Sequence, residues 1–127
     1  MKQSGVRTHE DLDVWRCAIV VAKHVYRLSA RLPPHELFGL ANQLRRAAVS
    51  IPANIAEGAA RGYTNDFVRF LGVAQGSLAE LETHLVLARE LYQIHMDDQL
   101  KQRLLSLRRM LIGLRASIAA TKSSKPR

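Results

Sequence analysis

The sequence predicts an all-α protein: an antiparallel up-down-up-down four-helix bundle. Three observations point there. Apolar residues recur at alternating three- and four-residue spacing along most of the 127-residue chain. Strand signals are missing: aromatics make up 6% of the residues, no run alternates apolar with polar, and no Asn-Gly or Asp-Gly hairpin turn occurs. The segments that interrupt the periodicity are short, and short links between long amphipathic helices make antiparallel neighbours. At this length a single domain over residues 1–127 is enough to bury one core.

The spacing predicts helices at about 11–31, 36–58, 64–94 and 97–119. In the first, Leu12, Trp15, Ile19, Ala22 and Tyr26 form one apolar row beside a second, Val14, Ala18, Val21, Val25, Leu28 and Leu32. Pro33-Pro34 closes it, because proline lacks the N–H and biases the preceding residue away from helical geometry. The second turns Leu37, Leu40, Ala41, Leu44, Ala48, Ile51 and Ile55 inward; Pro52 should kink it and Gly58 or Gly62 should stop it. Thr64 is the expected cap of the third helix, whose seam runs Phe67, Leu71, Ala74, Leu78, Leu81, Leu85, Ala88 and Tyr92. Gly72 and Gly76, four apart inside it, suggest that another backbone comes close. Asp97 caps the fourth helix, where Leu100, Leu104, Leu107, Leu111, Leu114 and Ile118 repeat the same spacing.

The formal charge is +8, and its position is more informative than its size. Residues 1–98 carry 11 basic and 11 acidic side chains, so the whole excess lies in residues 99–127. Lys101, Arg108, Arg115 and Lys122 recur every seven residues and form a stripe beside the apolar seam. Arg103 and Arg109 broaden it, and Lys125 and Arg127 carry it into the tail. No acidic residue follows Asp98, so pairs along this helix cannot neutralise it after its first turn. Arginine (14) outnumbers lysine (5), which favours forked contact with phosphate. These six residues, Lys101 to Lys122, are the candidate nucleic-acid contacts. The alternative is a solvated flank whose cations pair elsewhere or keep the protein soluble. No RNA-binding signature accompanies the stripe, so contact would follow shape and charge rather than base sequence.

The second helix carries a polar ribbon: Arg46, Ser50, Asn54 and Glu57 are spaced four, four and three and share one face. Glu80 and His84 project from the third helix. A hydrogen-bonded network that fixes helix register or a subunit interface is the preferred reading of Arg46, Ser50, Asn54, Glu57 and Glu80. Enzyme signatures are absent. Glu-x-x-His, His-Glu-x-x-His, a P-loop and a dinucleotide fingerprint are all missing. Arg89 and His95 match the loose spacing of helical ribonucleases, a spacing that this many arginines and histidines produce by chance. No catalytic residue, metal or cofactor is therefore expected. One cysteine, Cys17, excludes a disulfide framework and a multi-cysteine zinc site. No run of about 18 apolar residues occurs. The N-terminus lacks the apolar core of a signal peptide, so the expected location is cytoplasmic, without membrane contact.

Leu12-Asp13-Val14-Trp15, the segment FGLANQLRRAAVSIPANIAEG (38–58) and the segment FLGVAQGSLAELETHL (70–85) carry a family resemblance. Over roughly residues 10–118 the chain resembles the four-helix bundle proteins encoded within intervening sequences of bacterial 23S ribosomal RNA genes. The resemblance implies an up-down bundle assembled into a ring-like homopentamer. It is also similar in shape to the basic accessory proteins of diversity-generating retroelements. No catalytic residues come with it, because no activity is established for the family. The expected function is a non-enzymatic oligomeric scaffold that binds RNA or DNA through the fourth helix and tail. The alternative is a protein-docking adaptor or structural assembly protein without nucleic acid.

Overall fold

A computed structural model describes residues 9–121. Four α-helices account for most of them: α1 (Asp13–Ser29), α2 (Leu40–Arg61), α3 (Thr64–Tyr92) and α4 (Asp98–Ala119). Short 3₁₀ turns occupy His9–Asp11 and Pro34–Glu36, and no β-strand occurs among the described residues. Each helix packs on its chain neighbours, and α4 closes the bundle against α1. The expected all-α four-helix architecture is therefore present. Val21, Leu44, Ile51, Ile55, Leu71, Leu81, Leu107 and Leu111 are fully buried at its centre. These are the residues that the three-four spacing turns inward. α3 is the longest element, with 29 residues and a length of about 43 Å.

The ends differ from expectation in instructive ways. α1 stops at Ser29, before the prolines. There the buried Ser29 hydroxyl donates to the Tyr26 carbonyl and accepts from Arg45 Nε, both at 2.8 Å. α2 starts at Leu40, four residues later than predicted, because Pro34–Glu36 forms a separate tight turn. Glu36 then caps α2 from outside: its carboxylate accepts from the Leu40 N–H (2.9 Å) and from the Tyr92 hydroxyl (2.5 Å). The helix continues through the buried Pro52 and past Gly58 to Arg61, and the stop is Gly62, in the left-handed region at φ 84°. Gly58 has a different task. A Cβ there would lie 2.7 Å from Phe70 Cβ, so the missing side chain lets α3 cross closely. Thr64 is the buried first residue of α3 rather than its cap, a position that falls to Tyr63. Asp97 meets its prediction, with Oδ1 accepting from the Leu100 N–H at 2.8 Å.

Candidate nucleic-acid interface

The interface has to be built outward from the seam of α4. Leu100, Leu104, Leu107 and Leu111 are buried, which fixes the rotation of the helix and the direction of every cation on it. Lys101, Arg108 and Arg115 each follow the seam by one position and lie on the α3 side. Arg108 is ion-paired with Glu82 of α3. Arg115 is half-buried: Nε donates to the Val68 carbonyl (3.2 Å) and Nη1 to Gln75 Oε1 (3.1 Å). Its guanidinium lies over Gly72, where a Cβ would come within 2.8 Å of Nη2. These two arginines join α4 to α3, the pairing with other helices that the alternative reading of the stripe describes. The glycine expectation changes, since Gly72 makes room for a side chain rather than a backbone. Nothing lies within 4 Å of a Cβ at Gly76.

Arg103 does not broaden that stripe; it lies on the opposite flank, toward α1. Its carbonyl accepts from the Cys17 thiol at 3.5 Å, and its side chain lines a cleft with His24, Gln99 and Gln102. Cys17 itself is a core residue whose burial pushes its thiol pKa up. Arg109 is exposed on the outer edge of α4. Lys101, Arg103 and Arg109 make no ion pair among the described residues. Lys122, Lys125 and Arg127 lie outside the described residues.

The polar ribbon is partly assembled. Ser50 Oγ and Ser77 Oγ lie 2.7 Å apart across the α2–α3 contact, and Asn54 Nδ2 donates to the Ser50 carbonyl (2.8 Å) and hydroxyl (3.0 Å). Arg46 and Glu80 flank a polar hollow above Ser50, with Glu80 3.7 Å from His84 Nε2. Glu57 stands apart and pairs with Arg61 at 3.0 Å on the surface. Ser77, which completes the link, was not among the predicted network residues. Its signal was a hydroxyl next to Leu78 in the apolar seam of α3.

The clefts also separate the two residues of the loose ribonuclease spacing. Arg89 lines an apolar cleft between α3 and α4, about 310 Å³, with Leu85, Val86, Leu104, Leu105 and Lys101 around it. His95 lines a different one, between α1 and α4. No group of three or more His, Cys, Asp or Glu is placed to hold a metal among the described residues. No described helix is long and apolar enough to cross a membrane.

Sequence reasoning missed the basic side of α1. Lys23, Arg27 and Arg31 follow one another at four-residue spacing, and no acidic residue occurs between 14 and 35. That signal was hidden by summing the first 98 residues to zero. No curated protein matches the chain. The sequence model described as "23S rRNA-intervening sequence protein" matches residues 10–113, a span that starts in the first 3₁₀ turn and reaches well into α4. With the match covering most of the chain and the bundle in place, the chain belongs to the 23S rRNA-intervening sequence protein family.

Proposed function

We propose that this protein is a non-enzymatic, cytoplasmic, oligomeric scaffold that binds RNA or DNA through its basic fourth helix and tail. One observation carries the reading: α4 presents Lys101, Arg103 and Arg109 to solvent without ion pairs. Five carboxylates elsewhere already pair with arginines: Asp13 with Arg16, Glu57 with Arg61, Asp66 with Arg69, Glu82 with Arg108, and Glu90 with Arg89. Unpaired cations release counterions from a phosphate backbone on contact, which is the sequence-independent source of nucleic-acid affinity. Assembly is supported by α3, which exposes Val73, Leu87 and Leu91, the last 60% accessible, on a side away from its core seam. A second copy of the chain would cover them, and the family resemblance implies a ring of five. In a ring, weak contacts from each subunit add through multivalency.

Sedimentation velocity with a fluorescein-labelled RNA tests both halves. The expected result is a protein mass several times that of one chain, carrying RNA that dissociates steeply as salt rises. Replacing Lys101, Arg103 and Arg109 together by Gln should release the RNA and leave the protein mass unchanged. A monomer across a broad concentration range, or no RNA at low salt, would refute the corresponding half. The apolar α3–α4 cleft favours a second reading, a protein-docking adaptor whose partner seats apolar side chains between Val86 and Leu105. Recovery of a partner that survives nuclease and is lost in Leu105→Asp would support it.

A further inference from the structure

We infer that the cleft between α1 and α4 is a track for the phosphodiester backbone of a single-stranded nucleic acid. The inference rests on the nucleic-acid reading above but moves the main contact surface onto a helix that had no part in it. Two hollows of about 280 and 460 Å³ adjoin there, sharing His24 and Gln99 in their walls. Arg27 enters the first from α1 and Arg31 from the turn that follows it, and Arg103 enters the second from α4. Lys23 lies one turn before Arg27 on the exposed surface of α1. Lys23 and Arg27, four residues apart on α1, are separated by about 6 Å along the helix axis.

Charge balance separates this cleft from the α3 side. On the α3 side, Glu82, Glu90 and Asp66 each neutralise an arginine. In the walls of the α1–α4 cleft, Arg27, Arg31 and Arg103 are accompanied by only two carboxylates, Asp97 and Asp98. Asp97 is committed to capping α4 through its bond to the Leu100 N–H. Arg31 makes a long contact, 3.4 Å, with the His95 carbonyl, and Arg27, Arg103 and the neighbouring Lys23 make no ion pair among the described residues. Shape selects a single strand. The two hollows, about 280 and 460 Å³, are too small to seat a duplex and match the bulk of one backbone. The rings of His24 and His95 and the amides of Gln99 and Gln102 add stacking surfaces and hydrogen-bonding groups for bases.

The test is fluorescence anisotropy with a labelled oligouridine RNA of about 20 nucleotides, followed between about 50 and 200 mM salt. The triple variant Arg27→Gln, Arg31→Gln, Arg103→Gln should bind about tenfold or more weakly, with a log–log salt slope shallower by about 2. All three side chains are exposed, so circular dichroism should show unchanged helicity. Lysine at the same three positions should restore the slope, and Lys101→Gln with Arg109→Gln should cost less than the triple change. If the triple variant binds like the parent while Lys101→Gln with Arg109→Gln abolishes binding, the track is refuted and the α4 reading stands. If the unaltered protein does not bind the RNA at low salt, both fall. Tighter binding to duplex DNA than to the single strand would overturn the single-strand assignment.

Discussion

The two flanks of α4 carry the same kind of residue and put it to opposite use. On the α3 flank Arg108 and Arg115 meet a carboxylate, a carbonyl and an amide, and the cations become part of the bundle. On the α1 flank Arg103 meets a helix that carries no acid after Asp13 and stays open to solvent, beside Arg27 and Arg31. The residue type is the same on the two sides; what differs is whether the facing helix supplies an acceptor. Available charge is therefore a property of helix pairs. A chain whose first 98 residues sum to zero still presents a basic face, because their carboxylates sit mostly on other edges of the bundle.

The contact between Arg115 and Gly72 offers the largest expected effect of a single substitution on stability. Arg115→Ala should cost about 1–2 kcal/mol by orphaning its two acceptors. Gly72→Ala alone should be near neutral, since a helix-propensity gain of about 1 kcal/mol is offset by displacement of the guanidinium. In the Arg115→Ala background the same change should stabilise by about 1 kcal/mol, measured as a coupling in a double-mutant cycle by urea unfolding. Equal effects of Gly72→Ala in both backgrounds would show that the arginine does not sit there.

A smaller effect is expected at Glu36, which holds the start of α2 and the end of α3 by hydrogen bonds rather than by an arginine. Its carboxyl pKa is lowered first by the Leu40 N–H and then by the Tyr92 hydroxyl, whose own pKa is raised by that bond. A carboxylate whose folded pKa is depressed contributes stability that is present above its unfolded pKa and lost as pH falls through the folded value. The stability difference between the parent and Glu36→Gln should therefore narrow below about pH 4. A difference independent of pH over that range would contradict the cap.

The bundle was legible in the sequence because burial dictates the three-four rhythm and each seam names its own inward face. Asp97 was legible because a cap is a local device. Three features were not. The rotation of α4 could be read from its leucines, but which neighbour its flanks meet depends on packing order, so Arg103 and Arg108 looked alike. Ser50 was visible on its ribbon, whereas its partner Ser77 lies on a different helix and is found only once the register of α2 against α3 is known. Gly58 resembled a stop signal because a glycine needed for close approach and one needed for a left-handed turn look the same in sequence.

The central claim, that Arg108 and Arg115 of α4 are structural while Arg103 and Arg109 are available, is tested most directly by the unfolding free energies of two double variants. Arg108→Gln with Arg115→Gln should lose about 1–3 kcal/mol. Arg103→Gln with Arg109→Gln should stay within about 0.5 kcal/mol of the parent. Equal losses, or a larger loss from the second pair, would contradict it.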